Sequence, residues 1–295
     1  MTDTATVFES APAKINLALH VTGQRDDGYH LLDTLVVFTE VGDRLSFAPA
    51  QIDQLIVKGR HADALAGEDP SSNLVWKAMA ALRAHGLKAN APCPPVCIEL
   101  EKNLPVASGI GGGSSDAAAA LRGLIRLWKL VIAPNELSDL ALSLGADVPM
   151  CLIGKPLFVK GIGEDVAPAI NFPALHLVLL NPGVAIATPD IFKALAKKSN
   201  KPLTRGANLS AIHALREWLS AQRNDLQEPA LALQPVIREA LAALHESGAL
   251  VARMSGSGAT CFGIFSSEAS AAQASKAIFS KHRGWFVVAT KSSGS

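Results

Sequence analysis

The sequence predicts a two-domain α+β fold, and three observations carry that expectation. Apolar and polar residues alternate early in the chain, with Ile15, Leu17, Leu19 and Val21 on one face and Lys14, Asn16, Ala18 and His20 on the other, the pattern of a β-strand. Strand-like and helix-like stretches follow one another without a regular strand–helix repeat, which argues against an all-parallel α/β sheet. Finally, 295 residues, 49% of them apolar and 18% charged, can bury two cores. Prolines at Pro168 and Pro173 punctuate the chain and set the expected domains at 1–168 and 169–295.

Taken in order, the first strand ends in a polar turn, Gly23 to Gly28, and an apolar stretch over 31–38 reads as the next strand. Further strands are expected at 43–47 and 54–58. Residues 73–85 read as a helix closed by Gly86. Alternation at Val96, Ile98 and Leu100 gives a strand that leads into a glycine-rich loop. Helices are expected at 117–129 and, after Pro134, at 135–144, stopped by Gly145. In the second domain a strand at 176–180 precedes a helix start at Thr188-Pro189-Asp190, with a capping hydroxyl and an early proline. Helices at 208–222 and 235–247, strands at 250–254 and 260–265 around the turn 255–258, a helix at 268–282 and a strand at 285–289 complete a small sandwich. The tail 291–295 is polar and reads as frayed.

Composition excludes several classes. Net charge is +1 and no basic run exceeds Lys197-Lys198, so nucleic acid is not an expected partner. Met1-Thr2-Asp3-Thr4 has no apolar signal core, and no uncharged apolar stretch reaches membrane-spanning length. The four cysteines suggest no disulfide framework, and Cys93 and Cys97 lack the neighbours to complete a metal site. A cytoplasmic protein, monomeric or weakly dimeric, is expected.

The segment from Lys102 through Leu104-Pro105-Val106-Ala107-Ser108-Gly109-Ile110-Gly111-Gly112-Gly113-Ser114-Ser115 to Asp116 is the chemically informative one. Four glycines fall within five residues, ahead of a helix-forming run. Such a turn lets successive N–H groups converge on an anion, with the helix dipole aimed at the same point. It is not a G-x-x-x-x-G-K-[ST] loop, and Ser114 replaces the third glycine of a dinucleotide fingerprint. Protein-kinase signatures are absent. A simple glycine hinge is the plainer alternative. Read as a phosphate cradle, residues 105–115 hold a polyphosphate, with Ser114 and Ser115 serving both as helix caps and as phosphate contacts.

Three motifs in order carry a resemblance. They are Ala11-Pro12-Ala13-Lys14-Ile15-Asn16-Leu17 continued by Gly23-Gln24-Arg25-Asp26-Asp27-Gly28-Tyr29-His30, the glycine loop, and Arg253-Met254-Ser255-Gly256-Ser257-Gly258-Ala259-Thr260-Cys261-Phe262. The chain resembles the GHMP superfamily of small-molecule kinases, and within it the kinases of isoprenoid precursor synthesis whose acceptor is a cytidine-diphosphate-linked polyol. Ala107-Ser108 departs from the further glycines that some members carry.

The resemblance implies a ribosomal-protein-S5-domain-2-like N-terminal domain and a ferredoxin-like C-terminal domain. It also implies ATP as phosphoryl donor, with Mg2+ brought by ATP chemistry but no metal ligands identifiable. Lys14 and Asp147 become the catalytic pair, Asp147 accepting the hydroxyl proton. Asn16 contacts substrate, Tyr29 stacks on cytosine, His30 bonds its polar edge, and Phe192 is the second aromatic. The third motif closes beside the site in a supporting role. Local sequence alone leaves plainer readings open: Lys14 as an edge-strand lysine, Asp147 as a cap, Tyr29 as an interfacial aromatic and Phe192 as a core residue. A mevalonate or homoserine kinase, or a non-catalytic metabolite-binding protein on the same scaffold, remain the alternatives.

Overall fold

The computed structural model describes residues 6–206 and 208–294; the expectations for Met1 to Thr4 and for Ser295 lie outside the described residues. In chain order the elements are β1 (Val7–Gln24), β2 (His30–Pro49), β3 (Gln54–Lys58), α1 (Leu74–Lys88), β4 (Val96–Glu101), α2 (Gly112–Trp128), α3 (Pro134–Leu144), α4 (Val148–Ile153), β5 (Leu157–Gly161), β6 (Asp165–Pro168), β7 (His176–Asn181), α5 (Thr188–Lys193), α6 (Ile212–Ser220), α7 (Gln227–Leu233), α8 (Val236–Glu246), β8 (Val251–Met254), β9 (Cys261–Phe265), α9 (Glu268–Lys281) and β10 (Phe286–Lys291). The mixture is α+β, as expected. The chain forms two compact units, each assembled from separate stretches: Met1–Ala13, Gly42–Val106 and Gly112–Ile153 in one, and Lys14–Val41, Ala107–Gly111 and Gly154–Ser295 in the other.

In the first unit β4 pairs antiparallel with the end of β2, Arg44 opposite Glu101, and parallel with β3, Gln54 opposite Cys97. Helices α1 and α4 pack on α2, and α3 packs on α1. Phe47, Met79, Leu82, Ile98, Leu100, Leu121 and Leu124 are buried. Asn73 starts α1 as expected, its carboxamide oxygen accepting the Val75 N–H at 2.9 Å. Two glycines act here through missing bulk. A Cβ on Gly123 of α2 would lie 2.2 Å from the Phe47 ring, and one on Gly42 would lie 2.3 Å from Ala11 O. Gly42 therefore admits a close strand approach and is not a turn. For that reason β2 runs unbroken where the sequence predicts two strands.

In the second unit β1 and β2 form a hairpin closed by Arg25 N–H to Tyr29 O at 2.8 Å. Strand β5 lies antiparallel to the start of β2, Leu32 opposite Gly161, and β6 antiparallel to β5. Neither β5 nor β6 nor the short helices α4 and α7 was anticipated, since four to seven residues are too few for a period to declare itself. The second sheet of this unit runs β10-β7-β9-β8, antiparallel throughout. The order β7, helices, β8, β9, α9, β10 with that strand arrangement is the ferredoxin-like split βαβ. Helices α8 and α9 supply Ile237, Ala240, Leu244, Ala271, Ala274 and Ile278 to a core shared with Val178, Leu180, Met254, Cys261 and Phe265.

Three local expectations are corrected. Thr188 is not a cap: it lies inside α5, Ala187 precedes the helix without a side-chain cap, and the Thr188 hydroxyl meets that of Ser257 at 2.8 Å. Helix α6 starts at Ile212 and not at 208, because Asn208 turns back to accept the Ser210 N–H. The tail is pinned through Ser293. Ser292 N–H donates to Leu175 O and the Ser292 hydroxyl accepts from Leu175 N–H, while Ser293 N–H donates to Phe38 O.

Replacing Gly123 by Ala gains about 1 kcal/mol of helix propensity but drives a methyl group into the buried Phe47 ring. Overpacking costs about 1–3 kcal/mol, and with contact this close we expect net destabilisation. The measurement is a lowered denaturant midpoint at unchanged slope; a midpoint at or above wild type contradicts the packing.

Candidate active site

The glycine loop is built from left-handed residues. Ala107, Gly109 and Gly111 have φ of 50°, 76° and 64°, and backbone alternating in this way turns successive N–H groups to one side. Alanine pays a steric penalty there that glycine does not. Backbone bonds hold the strain in place: Lys14 N–H to Ile110 O at 2.9 Å and Thr260 N–H to Ser108 O at 3.1 Å. The Ser255 hydroxyl donates to Gly109 O at 3.1 Å and accepts the Asn16 N–H at 3.0 Å. A Cβ on Gly109 would stand 2.6 Å from Ser255 O and Gly258 N, and one on Gly256 would stand 2.7 Å from Gly109 O. The turn 255–258 thus presses backbone against backbone on the loop. The β-turn reading of the third motif understates it.

Lys14 and Asn16 are expected on the polar face of β1, and there they are. That face is buried too, Lys14 being only 5% exposed. The Lys14 ammonium donates to Asn16 Oδ1 at 3.2 Å, and Asn16 Nδ2 donates to Thr34 Oγ1 at 2.9 Å. A Cβ on Gly111 would lie 3.0 Å from Lys14 Cε. The structure therefore brings Lys14, Asn16 and 107–111 together. Among the named strands β1 pairs with β2 alone, as an edge strand does, yet the Lys14 side chain on it is buried.

In the other unit α2 opens at Gly112, five residues before the expected start, so Ser114 and Ser115 are helical and do not cap it. The buried Ser115 hydroxyl donates to Pro12 O at 2.6 Å; its proton is committed there. Beneath this helix end lies a cluster that sequence reading missed. The Lys102 ammonium pairs with Asp43 and, at 2.7 Å, with Asp116, and Asp43 Oδ1 also accepts the N–H groups of Asn103 and Leu104. Burial pushes Asp116 up to about 7 against the opposing pull of Lys102, with Asp43 adding to the rise. Burial alone lowers Lys102, but the two carboxylates outweigh it and its pKa is raised. A Cβ on Gly112 would lie 3.2 Å from the Lys102 nitrogen. Asp147 immediately precedes α4, and its carbonyl accepts the Cys151 N–H at 3.2 Å.

Of the aromatic set, Tyr29 is 61% exposed at the hairpin tip. His30 stacks on Phe192 with ring centroids 4.4 Å apart and planes at 19°. Phe192 thus shares one face with an imidazole, and the His30 Nε2 is buried without a hydrogen-bond partner. Burial, then Lys198, lowers the His30 pKa. Between α5 and α6 a strap without regular structure crosses the hairpin. Asp33 pairs with Arg205 and accepts the Leu203 N–H at 3.0 Å, Arg205 lies over the Phe158 ring at 4.1 Å, and Asn200 N–H donates to Val21 O. His20, 1% exposed, faces Lys201 O through Nδ1 at 3.0 Å and accepts the Arg223 N–H at Nε2, 3.2 Å. A carbonyl only accepts, so Nδ1 carries the proton and the ring is neutral.

The fold defines a two-domain small-molecule kinase. The model of the GHMP kinases N terminal domain matches residues 73–155 and that of the GHMP kinases C terminal matches 191–283. A 4-diphosphocytidyl-2-C-methyl-D-erythritol kinase of Mesorhizobium japonicum is 52% identical over 285 residues, 97% of this chain and 95% of that protein. One of Agrobacterium fabrum is 52% identical over 284 residues, 96% of this chain and 95% of that protein. A crystal structure of a 4-(cytidine 5'-diphospho)-2C-methyl-D-erythritol kinase aligns with a TM-score of 0.77 at 31% identity, covering 97% of this chain and 100% of that one. The chain belongs to the GHMP kinases and, within them, to the family of 4-diphosphocytidyl-2-C-methyl-D-erythritol kinases. Among the described residues no helix is long and apolar enough to cross a membrane.

Burial first, then Arg223, lowers the His20 pKa, with Asp225 and the Lys201 and Pro202 backbone opposing. A histidine whose folded pKa is depressed contributes stability that is complete above its unfolded pKa, about 6.5, and lost as pH falls below it. Denaturant melts should therefore show wild type losing more stability than His20→Gln as pH drops through that window. Parallel losses in the two proteins exclude His20 as the source.

Proposed function

We propose that the chain transfers the γ-phosphoryl group of ATP to the 2-hydroxyl of 4-diphosphocytidyl-2-C-methyl-D-erythritol, yielding the 2-phosphate and ADP. The observation that carries this reading is the Lys14 side chain lying against Gly111 of the strained, anchored loop. Phosphoryl transfer asks mainly for positioning and charge stabilisation. The N–H groups of 107–111 and of the helix start that follows in the chain hold the phosphates, with Pro105, Val106 and the small residues 112–115 framing the approach. The Lys14 ammonium offsets charge that builds on the transferring group.

Asp147 accepts the proton of the acceptor hydroxyl. The freed oxygen forms the new P–O bond as the bond from γ-phosphorus to the bridging oxygen breaks and ADP leaves. Tyr29, His30 and Phe192 serve the cytosine end, where the unpartnered His30 Nε2 offers a hydrogen bond to a base edge. A mevalonate- or homoserine-type acceptor, which lacks a base, gives that group no role. Among the described residues no group of three or more His, Cys, Asp or Glu side chains can hold a metal, and Asp43 and Asp116 are both engaged by Lys102. Mg2+ enters this reading only as the ion that ATP chemistry brings, with no ligand assigned to it. A cytoplasmic enzyme, monomeric or weakly dimeric, belongs to the same reading.

The direct test is ADP release from ATP with 4-diphosphocytidyl-2-C-methyl-D-erythritol, mevalonate and homoserine offered separately. Turnover only with the first is expected, and preference for either of the others sinks the assignment. Asp147→Asn should lower kcat by about 10²–10⁴ while calorimetric ATP affinity holds; wild-type turnover removes Asp147 from the chemistry. Loss of a stacking partner costs about 0.5–1.5 kcal/mol. Tyr29→Ala should thus raise the KM of the cytidyl acceptor by up to about tenfold and leave the KM of ATP unchanged. Equal rises for both substrates refute the stacking role.

A further inference from the structure

Arg253, in β8, is a half-buried cation outside this scheme. One guanidinium nitrogen donates to Leu17 O at 2.8 Å, and the other donates to Leu219 O and Gln222 O at 2.9 Å each. Among the described residues no carboxylate pairs with it, and burial alone pushes its pKa down to about 10. Withdrawing an ion from water, even in part, is costly unless a counter-charge meets it. Three carbonyls supply dipoles and satisfy the donors, but they supply no net charge. A neutral donor such as Gln can also reach backbone carbonyls, so the hydrogen bonds do not account for a cation at this point.

Its neighbours do. Leu17 lies three residues from Lys14 on β1, and Arg253 stands two residues before Ser255. The Ser255 hydroxyl ties Asn16 N–H to Gly109 O. The segment 253–255 therefore grips β1 at two successive residues, by the guanidinium at Leu17 and by the hydroxyl at Asn16. The same hydroxyl grips the glycine loop. The uncompensated charge sits in the frame that fixes Lys14 against 107–111. A polyphosphate on that loop brings the negative charge that the protein itself withholds.

We propose that Arg253 is a positioning residue of the phosphate site: through Leu17 O it sets β1, and with it Lys14, against the loop, and its unpaired charge raises the affinity of that site for a polyphosphate. The proposal rests on the reading of 107–111 as the ATP site. It separates two properties of one side chain, the three-carbonyl geometry and the charge. Lysine keeps the charge but not the planar fork, and glutamine keeps a donor but not the charge.

The experiment is calorimetric titration of the full-length wild type, Arg253→Gln and Arg253→Lys with ATP at about 50 and about 300 mM KCl, where screening of charge differs, with kcat and KM measured alongside. The Gln variant should bind ATP about tenfold more weakly at low salt and lose part of the wild-type salt dependence, since a Coulomb contribution is gone. The Lys variant should keep the salt dependence and most of the affinity despite lower thermal stability. Gln binding with wild-type affinity and salt response overturns the proposal, as does a folded Lys variant whose salt response is as flat as that of Gln. If Arg253→Gln fails to fold, Lys decides alone: a preserved salt response supports the charge role, and a flattened one refutes it. Wild type that does not bind ATP at all refutes the reading of the loop itself, which is a separate failure.

Discussion

A seam of backbone bonds between two glycine turns, closed by one hydroxyl, is what the rest of the site depends on. Ala107, Gly109 and Gly111 hold left-handed conformations that no isolated strand–loop–helix segment has reason to keep. The bonds from Thr260 N–H to Ser108 O, from Ser255 Oγ to Gly109 O and from Lys14 N–H to Ile110 O secure three successive carbonyls. Together the three bonds contribute about 3 kcal/mol net, at about 1 kcal/mol each, against a cost of about 1–2 kcal/mol for Ala107, the one non-glycine residue of the three. The anchoring outweighs the strain.

Buried charge does the remaining positioning, and it does so unevenly. Lys102 with Asp43 and Asp116 forms a cluster in which two carboxylates outnumber one ammonium, and Asp116 Oδ1 has no hydrogen-bond partner. Breaking a buried pair of this kind costs far more than a surface ion pair contributes, so the cluster fixes the start of α2 firmly. Asp33 performs a similar service for the strap by joining Arg205 to the Leu203 N–H. In both places the ion pair ties a segment without regular structure to a strand or helix, where backbone ladders cannot reach.

The aromatic end shows a different economy. His30 and Phe192 stack on one another, so that a ring face is kept dry by the protein itself. Tyr29, by contrast, stands in solvent. The His30 Nε2 is buried without a hydrogen-bond partner, which is costly. The pairing of residues 30 and 192 depends on the second unit's fold and has no counterpart in local sequence.

Periodicity was enough for the long elements. The alternation at 14–21 was visible, as were the helices near 74–88 and 236–246, because each buries one repeating face over many residues; the ferredoxin-like form of the C-terminal domain came with the resemblance. The glycine loop was legible for a related reason: left-handed backbone favours glycine, and Gly109 and Gly111 both adopt it. Short elements such as β5, β6 and α4 were not, and Gly42 was read past because its role is a close approach to Ala11, which only the paired strand creates. The same holds for the site. Lys14 and the loop stood out as residue types in a row, whereas the Lys102 cluster, the Ser255 hydroxyl and Arg253 acquire meaning from partners up to 239 residues away in the chain. By itself the sequence determined where backbone must bend and which faces must be buried, since those are local demands on conformation and hydrophobicity. Only the tertiary structure decided which buried polar groups meet, because hydrogen bonds and charges are satisfied in space, without regard to order along the chain.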